Sequence, residues 1–273
     1  MQTLAIAVSF PPLALLYCVI GWALLLIFAN IYVRGLVVVY TAWCFLDRTP
    51  ATGGWNTPRL TKFVKGNWLH RYAFKFFGPS SSIVKTCELD PSKRYLFGYH
   101  PHGIIAVGAA LAFATDGANF SSLFPGINVS LMVLKPLFKV PFYREWLMMH
   151  NIKSAGRKTC LKCLQGPPGS SICLAIGGAK EGMDANPHKM RLTLKNRKGF
   201  VKVAIETGAS LVPVIGFGEN ELFNQVTGGC VGRAQKTFQK KAGFFVPIFW
   251  GRGVFNYSFG LLPHRYYCKR LTV

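Results

Sequence analysis

The stretch Tyr95-Leu96-Phe97-Gly98-Tyr99-His100-Pro101-His102-Gly103 decides how the rest of the chain is read. Its first four residues form a short apolar run, the pattern of a buried strand. Proline fixes its own φ and restricts the residue before it, so His100 is held extended. Gly103 lets the backbone turn, or lets a ligand approach closely. Residues 104–114 are apolar and predict a helix. Two imidazoles are therefore expected where a strand opens onto a helix, the edge at which α/β folds commonly bind ligands. Histidine titrates nearest neutrality and is the usual general base. Two histidines in a plain structural turn would look the same, so other residues must decide.

The composition narrows the partners. Of 273 residues, 51% are hydrophobic and 14% aromatic, which suggests membrane contact. The net charge of +22, from 32 basic against 10 acidic residues, calls for an anionic partner: nucleic acid, anionic lipid or a phosphorylated substrate. The basic residues are interleaved with apolar segments, and no zinc finger, basic zipper or RNA-recognition signature occurs, which argues against nucleic acid. The eight cysteines are irregularly spaced, unlike a disulfide framework. Cys160-x-x-Cys163 stands alone, with no second pair to complete a zinc site, so no metal is expected.

Residues 1–33 carry no charged side chain, and residues 13–33 alone are long enough to cross a hydrocarbon core. Arg34 interrupts, and twelve more apolar or neutral residues follow to Leu46. Two topologies fit: a single span ending near Arg34, or a hairpin that turns near residues 30–35 and returns. Residues 1–46 are thus expected to be membrane-embedded and residues 47–273 to form the body. The body is basic from Arg48 onward and nothing basic precedes Arg34, which places the body in the cytosol. Three sequons, at Asn119, Asn128 and Asn256, should then carry no glycan. Residues 56–77 are basic and aromatic at near-helical spacing. They fit an interfacial helix or one packed on the body.

Further along, strands are expected at 127–134, 172–176 and 211–217, and helices at 142–150, 197–207 and near 160–164; residues 121–125 predict a loop. Each strand feeds a polar, glycine-containing turn. The expected fold is α/β, with a mixed, largely parallel sheet flanked by helices, behind an N-terminal membrane helix or hairpin. A histidine base needs a carboxylate to fix its tautomer and stabilise the imidazolium. Of the ten carboxylates, Glu181, Glu219 and Glu221 sit in strand-end turns, on the edge of His100 and His102 if the sheet is parallel. Glu181 is favoured, since Gly177 and Gly178 before it permit close approach; capping of the next helix is its alternative role. No Gly-x-Ser-x-Gly elbow and no Walker loop occurs. A base with no protein nucleophile suggests that the substrate's own hydroxyl attacks, with an activated acyl group as its target.

Tyr99-His100-Pro101-His102-Gly103 resembles the signature of the type 2 diacylglycerol acyltransferase family, which includes monoacylglycerol and wax-alcohol acyltransferases. Phe124-Pro125-Gly126, Pro141-Phe142-x-Arg144-Glu145 and Gly177-Gly178-Ala179-x-Glu181 agree with it. So do the long run from Leu192 to Phe200, its continuation through Gly208 to Asn220, and Val254 to Ser258. The resemblance covers roughly residues 35–263. It implies a glycerolipid-acyltransferase-like fold and transfer of a fatty acyl group from acyl-CoA to an acylglycerol hydroxyl at the endoplasmic reticulum. By position, His100 and His102 inherit the catalytic role and Glu181 a supporting one. Related enzymes use His-x-x-x-x-Asp, but here Ile105 and Val107 stand at the fifth positions, which turns attention to Glu181.

Pro101, Gly103, Gly177, Gly178, Glu219 and Asn220 are expected to line the substrate site. Backbone amides near Gly103 or Gly178 would hold the oxyanion, and Lys195, Arg197 and Lys198 the CoA phosphates. No metal or redox cofactor is expected; acyl-CoA is a co-substrate. The partners are acyl-CoA, acylglycerol and membrane, with homo- or hetero-oligomers and lipid droplets left open. Residues 266–273 do not match the expected continuation, so the body is expected to be shortened at its carboxyl end and to lack a sheet strand. The rival reading is a catalytically impaired paralogue that binds membranes or lipid droplets; a long-chain alcohol as acyl acceptor is another.

Overall fold

The computed structural model describes residues 1–55, 57–78, 81–226, 228–242, 247–255, 259–264 and 270–272. The chain begins with three helices: α1 (Gln2–Ser9), α2 (Pro11–Phe28) and α3 (Ile31–Leu46). Pro11 and Pro12 occupy the first turn of α2, where a missing N–H costs nothing. Asn30 then caps α3, its side chain accepting from the Val33 amide at 3.0 Å. The Trp22 indole donates to the Thr41 hydroxyl at 3.0 Å, so α2 and α3 fold back on each other. The two helices thus form a helical hairpin. α2 is the one described helix long and apolar enough to cross a membrane, with mean hydropathy 2.2. Helix α1 is not part of that hairpin. It lies on the body against α5, with Ala5, Ile6 and Phe10 buried and Phe10 stacked on Phe223 at 6.0 Å.

Residues 56–77 expected as one helix are two, α4 (Pro58–Lys65) and α5 (Trp68–Lys75), broken at Gly66 and restarted by the Asn67 cap. One face packs inward through His70, Ala73 and Phe74; Leu60, Phe63, Trp68 and Tyr72 face out. The body then runs β1 (Ser82–Val84), β2 (Tyr95–His100), α6 (Val107–Ala109) with a π turn at Ala110–Ala114, α7 (Phe120–Leu123), β3 (Asn128–Val133), α8 (Tyr143–Met149), β4 (Ile152–Ser154) and α9 (Arg157–Leu164). It continues with β5 (Ser170–Ala175), α10 (Gly178–Asp184), α11 (Gly199–Thr207), β6 (Ser210–Phe217), β7 (Asn224–Gln225), α12 (Gly229–Ala242), β8 (Phe249–Trp250) and β9 (Arg270–Thr272).

The main sheet has the order β1-β9-β6-β2-β5-β3-β4. Its five strands from β6 to β4 are parallel; β9 runs antiparallel to β6 and parallel to β1, which makes the sheet mixed and largely parallel. β9 lies between β6 and β1, pairing with both. The sequence pattern also missed β1 and β4, each three residues long.

β2 lies at the centre, every residue buried, which is why its sequence is continuously apolar. On one side of the sheet Phe97, Phe113, Phe120 and Phe124 form a ring cluster with centroids 5.0–5.9 Å apart. Each such burial contributes about 1.5–3 kcal/mol, enough to hold the irregular segment between β2 and β3 on the sheet. That segment departs from expectation twice. Ala106 has φ +50, so the helix starts at Val107 and turns into a π turn at Ala110. The loop expected at 121–125 is instead largely α7, anchored by Phe120.

Lys65, at the end of α4, sends its ammonium inward to the Phe113 carbonyl (2.7 Å) and the Val129 carbonyl (3.4 Å). Burial lowers its pKa to about 8. Cys160 and Cys163 both lie on α9, and burial pushes the Cys160 thiol up to about 12. Gly208, at φ +65, stops α11 as the sequence predicts.

Candidate active site

Three turns meet at the carboxyl edge of the parallel strands. The first is Pro101–Gly103 after β2, the second Gly177–Glu181 after β5, the third Gly218–Asn220 after β6. β2 lies between the other two, so the turn bearing the histidines is flanked by the turns bearing Glu181 and Glu219. The His100–Pro101 peptide is cis.

Glu181 is the hub of the first pairing. It is 2% exposed, and its carboxylate accepts from the His102 amide at 2.9 Å and the Thr193 amide at 2.7 Å. Oε1 also lies 3.4 Å from Nδ1 of His100, itself 5% exposed. That is ion-pair distance without hydrogen-bond alignment, so the two amides hold the carboxylate and the imidazole rests against it. Burial alone would raise the Glu181 pKa. The His100 ring and the two amides outweigh it and hold the carboxyl below its usual value. Gly177 makes the arrangement sterically feasible, because a Cβ there would overlap the Glu181 carboxylate. Of the paired glycines read in the sequence as permitting close approach, Gly177 is the one placed where the approach occurs.

His102 is half-buried, and its Nδ1 lies 2.9 Å from the Gly103 carbonyl. A carbonyl only accepts, so Nδ1 carries the proton and the neutral ring keeps its free lone pair on Nε2.

Glu219, expected to line the substrate site, is bonded to the protein on both carboxylate oxygens. Its oxygens accept from the Tyr99 hydroxyl (2.6 Å) and from the amides of Val107 (2.8 Å) and Gly108 (2.9 Å). It therefore caps the helix that follows the histidine turn and ties it to the residue just before His100. A Cβ at Gly103, where φ is +58, would stand 2.6 Å from Glu219 Cγ, so Glu219 supports the turn from beneath. Asn220 donates to the Lys189 carbonyl at 2.6 Å. Glu221 accepts from the His188 amide at 3.3 Å, away from the histidines.

The strap 185–198 passes over Glu181, held by Thr193 and Asn220. Arg197 donates to the Gly177 carbonyl at 3.0 Å, which brings one of the three expected phosphate-binding cations to the site; Lys195 and Lys198 are exposed on the same strap. Gly178, at φ +58, has nothing where a Cβ would lie. Sequence reasoning missed Thr193, Val107 and Gly108. Each acts through its backbone amide, which side-chain identity does not announce.

The fold and the site define an α/β protein with two histidines and a buried glutamate at the carboxyl edge of a parallel sheet. Comparison with known proteins gives that class a family. The chain belongs to the diacylglycerol acyltransferase family, which it matches over residues 25–271. It is 44% identical over 236 residues to diacylglycerol O-acyltransferase 2A of Umbelopsis ramanniana, covering 84% of this chain and 64% of that one. Diacylglycerol O-acyltransferase 2 of Dictyostelium discoideum is 43% identical over 243 residues, 88% of this chain and 71% of that one. Human 2-acylglycerol O-acyltransferase 1 is 43% identical over 235 residues, 84% of this chain and 68% of its own. The chain therefore spans about two-thirds of the length of these relatives. No solved structure matches it.

Proposed function

We propose that the chain transfers a fatty acyl group from acyl-CoA to a hydroxyl of mono- or diacylglycerol, within a glycerolipid-acyltransferase-like fold. The observation that carries this reading is Glu181, buried against His100 in a chain whose relatives are named for acylglycerol acylation. His100 takes the proton of the acceptor hydroxyl on Nε2 while the Glu181 carboxylate steadies the imidazolium. The hydroxyl oxygen attacks the thioester carbonyl carbon. The tetrahedral intermediate collapses to the ester, and the departing CoA sulfur takes the proton back from His100. Backbone amides near Gly103 or Gly178 receive the oxyanion. His102, with its lone pair on Nε2, is the second base candidate. Arg197, with Lys195 and Lys198 on the same strap, contacts the CoA phosphates, and Glu219 keeps the histidine turn in place. The reaction needs no metal or redox cofactor.

The membrane supplies both lipids. The α2–α3 hairpin enters it, and the exposed Phe63, Trp68 and Tyr72, with Lys62 and Arg71 beside them, lie at its surface. The body faces the cytosol at the endoplasmic reticulum or on lipid droplets. If so, Asn119 and Asn128, both exposed, stay unglycosylated, and a mobility shift on deglycosylation would reverse the orientation. The third sequon, Asn256, and the end of the motif at Val254–Ser258 lie outside the described residues.

The test is acylation by the purified chain in lipid nanodiscs, with labelled acyl-CoA and monoacylglycerol, diacylglycerol or a long-chain alcohol side by side. Acylation that disappears in His100→Ala supports the assignment. Acylation indifferent to both His100→Ala and His102→Ala overturns the site. A parent chain that binds lipid but acylates none of the three favours the lipid-binding reading.

A further inference from the structure

The Pro141-Phe142-x-Arg144-Glu145 motif has no part in the chemistry above, and the structure places it at the root of the hairpin. Glu145 accepts a hydrogen bond from the Tyr40 hydroxyl of α3 at 2.5 Å, and the same hydroxyl accepts from the Phe142 amide at 2.9 Å. Arg144, at 0% exposed the most enclosed cation among the described residues, pairs with Asp47, the residue that ends α3. Its guanidinium lies over the Trp43 ring at 4.4 Å. Lys139 donates to the carbonyls of Cys44 and Phe45, the last turn of the same helix.

We infer that this polar clamp fixes the hairpin rigidly against the body and so sets the position of the catalytic edge relative to the bilayer, with Tyr40, Arg144 and Glu145 as positioning residues for acylation of membrane-borne acceptors. The inference rests on the acyltransferase reading above. Its physical basis is that a wholly apolar hairpin has no preferred rotation in hydrocarbon, since lipid tails solvate every face alike. Orientation needs contacts that exist in one geometry only, and hydrogen-bonded charges supply them. Tyr40 lies six residues before the end of α3, about 9 Å up the helix at 1.5 Å per residue. Contacts at Tyr40, Trp43 and Asp47 therefore grip α3 over nearly two turns, which resists tilt as well as rotation. Exposed Phe142 and Leu134 border this junction, and apolar side chains there suit the lipid boundary. A lipid acceptor diffuses in the plane of the bilayer, so the height of His100 and His102 above that plane governs how often the acceptor's hydroxyl reaches them.

The experiment compares the parent with Tyr40→Phe, which removes one hydroxyl and changes little volume. Both are assayed as the full chain in nanodiscs, with a long-chain diacylglycerol in the bilayer or a water-soluble short-chain diacylglycerol added from solution. Losing the bonds to a half-buried carboxylate and an amide should lower kcat/KM for the bilayer acceptor about tenfold. Short-chain turnover should stay within about twofold, a difference too small to register as a lost hydrogen bond. Equal loss on both acceptors, or loss on neither, overturns the inference. A second readout needs no activity: the distance distribution between labels at Tyr32, near the hairpin tip, and Lys158 on α9. It should be narrow in the parent and broad in Tyr40→Phe. Equal widths in the two proteins overturn the clamp whether or not the chain acylates anything, and a parent that acylates neither acceptor overturns the acyltransferase reading alone.

Discussion

Replacing Glu181 with glutamine preserves the shape of the side chain and removes its charge. At 3.4 Å from His100 Nδ1 and almost fully buried, the carboxylate faces an imidazole that gains a proton during the reaction. With an effective dielectric of about 20, one unit charge at that distance stabilises the imidazolium by about 5 kcal/mol. The proton is only part-transferred in the transition state, so roughly half to four-fifths of that is at stake, or about two to three orders of magnitude in kcat. The carboxamide also has one acceptor oxygen where two amide donors converge, from His102 and Thr193, so its NH2 must confront one of those N–H groups. KM for acyl-CoA should change less than kcat, since Arg197 keeps its own bond to the Gly177 carbonyl. The assay is steady-state transfer of labelled acyl groups in nanodiscs, with a thermal midpoint recorded on the same preparation. A Glu181→Gln protein that keeps its melting temperature and retains kcat within about threefold of the parent would refute this reasoning, because loss of so near a charge must cost more.

Gly177→Ala should mimic that loss, because its new methyl overlaps the Glu181 carboxylate; kcat should fall about as far as in Glu181→Gln, measured the same way. Glu219→Ala should act on stability first, since it strands the Tyr99 hydroxyl and the amides of Val107 and Gly108 in the interior. A loss of about 3–5 kcal/mol is expected, read as a fall in thermal midpoint. Acid should destabilise the body. Burial pushes His150 down from 6.5 to about 4 and lowers His70 beside it, so below about 6.5 the unfolded chain takes up protons that the folded chain refuses. Stability should be complete above that pH and decline toward pH 4, by about 3 kcal/mol from His150. Glu181, held below 4.5, adds its loss only below that value. Melting in nanodiscs across pH 4–8 checks the profile, and His150→Gln should flatten it.

The central strand and the histidine turn could be read from the sequence because burial on both faces leaves β2 apolar from end to end. The meeting of Glu181 with His100 was also accessible, since parallel strands deliver their following turns to one edge. What each carboxylate does there was not. Glu181 and Glu219 occupy equivalent turns, and only the positions of Tyr99, Val107 and Gly108 show that Glu219 is taken up in bonds to the protein. The hairpin was undecided because Arg34 can end a span or sit beyond a turn. The Asn30 cap and the Trp22–Thr41 bond, which fold α3 back on α2, both depend on the second helix being present. The apolar start of the chain hid the docking of α1, because a helix buried on a body and one buried in lipid share the same composition. Strands β1, β4 and β9 are too short to establish a period of two. The helix expected from Ile104 begins late because Ala106 takes a left-handed turn and Glu219 caps it at Val107, two tertiary facts with no local signature.

The inward-reaching Lys65 ammonium joins a helix on the surface to the segment that leaves the histidine turn. Peeling α4 away would take the Lys65 ammonium from the Phe113 and Val129 carbonyls, so these pieces breathe as one cooperative unit rather than two. Slow amide exchange in α4 should therefore accompany slow exchange around Phe113, and agitation of either should be felt by both.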